Sequence, residues 1–392
     1  MNITFVTSHL TVLIGSGKSL LDYTDKFSKM GHRITVVAQK IDRDLYKFND
    51  NISLIELGGF LPSNPLYWLR FYKTKKNYVK ILNKLDNDLI IPINFPANFF
   101  VSKTKRINHV KHVYYCFEPF RFFHDKKFYS TAPLYIKFSS WFLRLIYKKI
   151  DVKSVRLADN IICISNFIKK RIQEVYGLDS YLHNPGIKVI EEIDELHDFS
   201  IKEKLNISNN TSIILALGFS HHMKGAKELI YIFKKIIHQL SNTILLIGGL
   251  ITKENCFIFS HLMKRLKIPK ENVIFLGFIA EEELNYFYSQ STLTFYTAIE
   301  ESYGLIPLES MKNGTPVIAF EGGPSETILN GKTGYIIKSN EINDFAKKAI
   351  KLMKDKRLFV EFSKCAKEHV REIFNIEKKI LDLESIFKKI RL

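Results

Sequence analysis

Glu301-Ser302-Tyr303-Gly304-Leu305-Ile306-Pro307-Leu308-Glu309 decides the reading of this chain, because it sets a glycine turn and a helix start just after an apolar strand-like run at 293–296. Gly304 lets the backbone approach a ligand closely, and the unpaired amides that open a helix near Leu305 form a site for an anion such as a diphosphate. Pro307 fits the first turn, where a missing N–H costs nothing. Glu309 then lies about one turn further in, within reach of ribose hydroxyls, while Glu301 reaches the other end of the same site. Two glutamates at this spacing also arise by chance on a charged surface helix, so the weight rests on their surroundings.

Outward from that stretch, a second strand-like run at 316–320 ends in Glu321-Gly322-Gly323-Pro324-Ser325-Glu326, again a glycine turn before a helix start. Upstream, Gly218 closes a run at 212–217, and Lys224-Gly225 follows on a loop entering a helix. Two glycine turns and a lysine gather on one strand edge, which is what a doubly charged pyrophosphate requires. His221 and His222 on the same loop read more simply as solvent-facing side chains. Gly15-Ser16-Gly17-Lys18-Ser19 imitates a P-loop, but valine holds position 12, where that motif needs its first glycine. It reads instead as a loop after the first strand.

The opening residues show the same grammar: an apolar run at 3–7, the glycine loop, a helical stretch at 19–30, then Gly31-His32 and a run at 34–38. This is a β-α-β unit and implies a parallel sheet with crossover helices. Runs at 52–57, 89–93, 112–116 and 160–165 complete a first Rossmann-like layer. A second series, with runs at 212–217, 243–248, 272–276, 293–296 and 316–320, follows His183-Asn184-Pro185-Gly186 and an acidic linker at 191–198. The expected organisation is one Rossmann-like domain over 1–188, a second over 189–374, and a charged helical segment over 375–392. Two doubly wound α/β domains facing across a cleft would bind ligands at the carboxyl ends of their strands.

Composition excludes several classes. With 392 residues, 46% apolar and 25% charged, the chain is neither disordered nor fibrous. Its four cysteines, Cys116, Cys163, Cys256 and Cys365, form no C-x-x-C pair, which implies a reduced compartment and no metal site. No apolar run approaches the roughly 20 residues of a membrane span, and residues 1–7 read as a buried strand rather than a signal peptide, so a cytoplasmic protein is expected. Residues 1–188 carry 30 Lys/Arg against 14 Asp/Glu, and the remainder 28 against 26. A basic excess confined to one half favours an anionic partner for that half. Within it, 66–80 and 137–149 interleave aromatic and basic residues and include both tryptophans, Trp68 and Trp141. Such segments suit the cytoplasmic face of an anionic membrane, although two amphipathic core helices would give the same pattern.

Taken together, Gly31-His32, Ala158-Asp159 with Ser165, Lys224-Gly225, the paired glutamates Glu301 and Glu309, and Gly322-Gly323 with Glu326 resemble glycosyltransferase family 4 of the GT-B fold over nearly the whole chain. The resemblance implies that Lys224 neutralises donor phosphates, Glu309 binds the nucleotide ribose and Glu301 contacts the donor sugar. It further implies that amides near Ser302, Tyr303, Gly304 and Leu305 receive the phosphates, with Gly218 close by. The Gly15 to Gly17 segment would form a facing loop, and Phe278 would lie near the base. Tyr115-Cys116-Phe117-Glu118-Pro119-Phe120-Arg121-Phe122 resembles an acceptor-side stretch of mannosyltransferase-like members. Phe117 stands there in place of the family's histidine, leaving Glu118, His109, His112 and His124 as groups to take its catalytic role and Arg121 and His124 on the acceptor side. Phe219 replaces an arginine that partners the lysine in many members. The resemblance also implies that 1–188 is an acceptor-binding domain, 189–374 a nucleotide-sugar-binding domain, and 375–392 a helix that crosses back to the first.

The activity so implied is retaining, metal-independent hexosyl transfer, without a cofactor, from GDP-mannose or a UDP-sugar to a glycan or lipid-linked glycan in cell-surface polysaccharide or lipopolysaccharide biosynthesis. Two readings from other classes remain: a non-catalytic sugar-nucleotide-binding or scaffold subunit, and a single-stranded nucleic-acid binder, for which no RNA-binding motif speaks.

Overall fold

The apolar runs become two separate parallel sheets in the computed structural model, which describes residues 1–12, 15–62, 64–104, 110–132, 134–189 and 200–391. The first sheet contains β1 (Asn2–Val6), β2 (Arg33–Ala38), β3 (Ser53–Glu56), β4 (Leu89–Pro92), β5 (Lys111–Cys116), β6 (Asn160–Cys163) and β7 (Tyr181–Leu182), in the order β3-β2-β1-β4-β5-β6-β7. The second contains β8 (Ser212–Phe219), β9 (Thr243–Ile251), β10 (Val273–Gly277), β11 (Leu293–Tyr296), β12 (Val317–Phe320) and β13 (Gly334–Ile337), in the order β10-β9-β8-β11-β12-β13. Continuous Ile, Val and Leu runs suit these strands because crossover helices cover both faces of a parallel sheet. Register follows from that burial: Ile3 lies opposite Ile34 and Leu89, and Leu215 opposite Leu246 and Thr294. In each sheet the chain starts in the middle, winds outward and returns on the other side. The strand order therefore reverses between β1 and β4 and between β8 and β11, where crevices open at the carboxyl ends.

Local readings change in three places. The Gly15–Lys29 helix begins at Gly15, so the Gly15 to Gly17 segment is its first turn and not a loop. Glycine is needed at 17 because an added Cβ would overlap the Tyr46 hydroxyl, which donates to Val12 O at 2.7 Å. Strand β9 runs three residues past the expected end at 248, and β8 continues through a bulge at Gly218 to Phe219. Strands β7 and β13 carry no clear sequence signal, the first being two residues long and the second opening on glycine. The acidic 191–198 stretch and His109 lie outside the described residues.

The chain divides into two compact units, Met1–Gly186 with Glu377–Leu392, and Ile187–Ile376. The Ile376–Arg391 helix supplies Ile380, Leu383, Phe387 and Ile390 to the core of the first unit. Phe387 stacks on Phe27 at 5.4 Å, Glu384 holds His32 Nε2 at 2.9 Å, Arg391 meets Asp88 at 2.8 Å and Glu377 pairs with Lys26. Among the described residues no helix is long and apolar enough to cross a membrane.

His183 belongs to the same docking and makes it sensitive to acid. Its Nε2 meets Lys379 O at 2.8 Å, so that nitrogen donates, and its Nδ1 accepts the Tyr115 hydroxyl at 2.6 Å. Burial pushes the imidazole down to about 4. Below its unfolded value of about 6.5 the unfolded chain binds a proton that the folded one refuses, so stability falls as pH drops from there towards 4, by on the order of 3 kcal/mol. His183→Gln is expected to flatten that part of the melting-temperature profile. An unchanged slope between pH 6.5 and 4 would remove His183 from the account.

Candidate functional site

The switch point between β8 and β11 dictates the site of the second unit, because the loops leaving those neighbouring strands must run side by side. After β8 the chain makes a single turn at His222–Lys224 and enters the Ala226–Ile237 helix at Gly225, whose φ is +71°. The loop after β11 clamps this turn. Ile299 N donates to Met223 O at 2.8 Å, and Thr297 Oγ1 lies 3.2 Å from Lys224 O and 3.1 Å from Gly225 O. A Cβ on residue 225 would overlap the Thr297 carbonyl, so the glycine is required twice over, by conformation and by space.

This clamp brings Lys224 Nζ to 2.6 Å from Glu301 Oε2, with the two side chains 16% and 17% exposed. The ammonium also lies 5.8 Å from the centre of the Tyr296 ring. Glu301 is the hub of three loops. Its Oε1 accepts from Ser302 N at 3.2 Å, and its carbonyl accepts from Gly323 N at 2.7 Å. Gly322 and Gly323 permit that approach, since a Cβ on Gly323 would overlap the backbone of Ser302 and Tyr303. The first glycine turn thus rests against the second, and Gly304, at φ +116°, caps the Leu305–Lys312 helix without a side-chain cap. The helix-opening amides, Lys224 and Glu301 all sit on one carboxyl edge, where positive potential and hydrogen-bond donors converge.

Glu309 lies one turn inside that helix and is 8% exposed. Its Oε2 accepts the buried Tyr288 hydroxyl at 3.1 Å, and burial together with the Glu309 charge raises that phenol well above its usual range. Tyr288 therefore stays a neutral donor and fixes the carboxylate. Gly218 has φ +78° and faces Ile306, while Phe278, beyond β10, is largely exposed. Tyr303 is buried against Phe374. Phe219, where the resemblance expects arginine, packs on Phe259 in the core, and its carbonyl accepts from Asn255. The departure at 219 is thus a core residue, not an empty phosphate contact.

In the first unit the expected acceptor-side residues separate. Glu118 follows β5 on its carboxyl edge, and Asn94, at φ +54°, accepts the Phe117 and Glu118 amides at 2.8 and 3.4 Å. Arg121 and His124 turn inward instead. Arg121 Nε meets Asp125 Oδ2 at 3.1 Å, joined by Arg171 at 3.3 Å. Burial works to raise the Asp125 carboxyl, but the Phe128 amide and both guanidiniums outweigh it and hold it below the usual range. His124 Nε2 meets buried Asp151 at 2.7 Å, beside bonds from Tyr176 and Asn98. His112 is buried against Thr104 at 2.7 Å. Of the described candidates, Glu118 is the one that stays at that edge, as a half-buried residue. Sequence reading missed Thr297, Tyr288 and Asn94. Only Asn94 carried a usable signal, as asparagine tolerates positive φ.

Comparison with known proteins gives the chain its family and fold. The family described as Glycosyltransferase Family 4 matches residues 14–187, and Glycosyl transferases group 1 matches 198–369. N-acetyl-alpha-D-glucosaminyl L-malate synthase of Bacillus anthracis is 31% identical over 188 residues, 48% of this chain and 48% of that protein. Trehalose synthase of Thermococcus litoralis is 26% identical over 57% of this chain and 60% of its own length. The chain therefore spans about half to three-fifths of these two curated relatives. Sucrose-phosphate synthase from Thermosynechococcus elongatus superposes with a TM-score of 0.82 at 18% identity, covering 100% of this chain and 99% of that one. Anabaena HepE, solved with UDP-glucose, gives 0.75 at 16% identity, with 99% of each chain covered. With one family signature on each sheet and the GT-B fold throughout, the chain belongs to the family 4 glycosyltransferases.

Proposed function

We propose that the protein is a retaining hexosyltransferase that moves a sugar from a nucleoside-diphosphate sugar to a glycan or lipid-linked glycan acceptor. The observation that carries this reading is the Lys224–Glu301 pair, 2.6 Å apart, beside the uncapped start of the Leu305–Lys312 helix. A departing diphosphate develops negative charge, and a fixed ammonium with helix amides stabilises it without reorganisation. The bond from anomeric carbon to diphosphate breaks, the acceptor oxygen bonds to that carbon on the same face, and its proton passes to a diphosphate oxygen. Glu301 Oε2 receives sugar hydroxyls once the phosphates engage Lys224. Glu309, oriented by Tyr288, takes the ribose, and Glu118 serves the acceptor side, with Arg121 and His124 as positioning residues inside the first unit. This electrostatic account calls on no divalent ion, so EDTA is expected to leave the rate unchanged.

Surface-polymer synthesis is favoured by relatives such as CapM of Staphylococcus aureus, a capsular polysaccharide biosynthesis glycosyltransferase 26% identical over 58% of this chain. The first test is thermal unfolding with UDP-, GDP-, ADP-, CMP- and dTDP-sugars, because a ligand of the folded state alone raises its melting temperature. One base is expected to raise it and Glu309→Gln to abolish the rise. NMR of the product then reads the anomeric configuration. No shift with any nucleotide sinks the donor site, and an inverted product sinks retention.

A further inference from the structure

Two helices of the first unit share an unusual charge distribution. The Phe71–Leu82 helix has four lysines and no acid, and the Leu134–Val155 helix has five basic residues and one acid, Asp151. Asp151 is fully buried and points inward to His124, Tyr176 and Asn98. The outward charge of both helices is therefore wholly positive. On the longer helix, large apolar side chains share that outward surface: Leu134, Trp141, Phe142 and Leu145 are 71%, 61%, 64% and 52% exposed, and Ile146 is exposed beside them. Lys148, Lys149 and Lys153 follow on the next turns, where helical spacing continues the same face.

Between the two helices lies a groove of about 650 Å³, floored by Tyr72, Phe99 and Ile150 and rimmed by Lys76, Lys80 and Lys153. Lys75 reaches into its wall. The residue is buried, with Nζ donating to Ser102 Oγ at 2.7 Å and resting 3.8 Å from the centre of the Phe99 ring. Burial and the nearby Lys103 push the ammonium down to about 8. No carboxylate is among the described residues that line the groove.

We infer that this face docks on an anionic phospholipid bilayer, with Trp141, Phe142 and Leu145 entering the interface and the groove beside Lys75 seating a lipid phosphate. Charge selects this occupant. A second copy of the same face would meet it with like charge, and a phosphodiester strand offers nothing to cover the exposed leucines. The placement also brings a lipid-linked acceptor to the unit that carries Glu118, yet the docking itself requires no sugar transfer.

The test uses the two tryptophans. In Trp68→Phe the remaining Trp141 is expected to blue-shift, and the protein to co-sediment, with phosphatidylcholine vesicles containing phosphatidylglycerol but not with phosphatidylcholine alone. Trp141→Phe, which retains Trp68, is expected to bind with no such shift. High salt screens the attraction. Lys148→Glu with Lys149→Glu and Lys153→Glu is expected to weaken vesicle binding by at least about 100-fold, from the contribution of each basic residue near a charged surface. All three side chains are exposed, so the melting temperature should hold. Absence of vesicle binding at low salt, equal binding to neutral vesicles, or full binding by the triple variant overturns the inference. So does a Trp141 shift with soluble glycerophosphate alone, which identifies a small-anion site, or tighter binding to a single-stranded oligonucleotide than to vesicles. None of these readouts needs a sugar donor, so failure here and failure of the transferase reading are separable.

Discussion

Lys224→Ala is expected to lower kcat for sugar transfer by about 10²–10³-fold, the loss typical of removing one preorganised electrostatic stabiliser. The size follows from placement. Lys224 is largely shielded from solvent, held by the Thr297 clamp and aimed at the carboxyl edge where the diphosphate would lie. Its removal also takes the charged partner from the largely shielded Glu301 carboxylate, whose Oε1 keeps the Ser302 amide, so a stability loss of roughly 1–3 kcal/mol should accompany it. Glu301→Gln keeps the shape and removes that second penalty, and the double variant measures the coupling between the two. In the structure the pair neutralises itself. A donor that takes Lys224 frees Glu301 Oε2, so phosphate and sugar recognition become one linked event. A bare nucleoside diphosphate would release the carboxylate with nothing to receive it and bind less well than the intact donor. Unchanged kcat in Lys224→Ala, measured with the donor identified by thermal shift, would end this mechanism.

Deleting residues 377–391 is expected to unfold the first unit. Ile380, Leu383, Phe387 and Ile390 are all buried in it, and a fully buried apolar side chain contributes about 1.5–3 kcal/mol as an upper estimate. Their sum rivals the roughly 5–15 kcal/mol that holds a whole domain together. Calorimetry should then show the transition of the second unit alone, and proteolysis should cut 1–186 rapidly. A truncated chain that keeps both transitions would show that the helix only decorates the surface.

Much of the fold was legible because parallel strands buried on both faces read as unbroken Ile, Val and Leu runs, and eleven such runs stand in the sequence at the positions of β1–β6 and β8–β12. Misreadings cluster where short-range pattern carries little information. Gly15 and Gly17 look like a loop, and only the distant Tyr46 shows that glycine is there to let a helix pass under an aromatic ring. The glycine turns were legible for the converse reason, as Gly225, Gly304 and Gly322 have backbone angles that few other residues adopt. That Lys224 and Glu301 share one strand edge was legible, but their direct contact was not, since 77 positions separate them and neither carries a local signal for the other. Nor could sequence separate Glu118 from Arg121 and His124. The carboxylates that draw the latter two inward, Asp125 and Asp151, look in one dimension like any other surface acid.

The first unit is interrupted: its sheet is complete by residue 182, but four of its core side chains are made only after all of 187–376. During synthesis the first sheet must therefore wait, partly uncovered, while an entire second fold emerges and closes on its own contacts. The site built by Lys224, Glu301 and Gly304 would be finished on the ribosome before the unit that precedes it. A nascent-chain protease assay should find 187–376 resistant while 1–186 is still being cut, with protection of the first part appearing abruptly once 377–391 leave the exit tunnel.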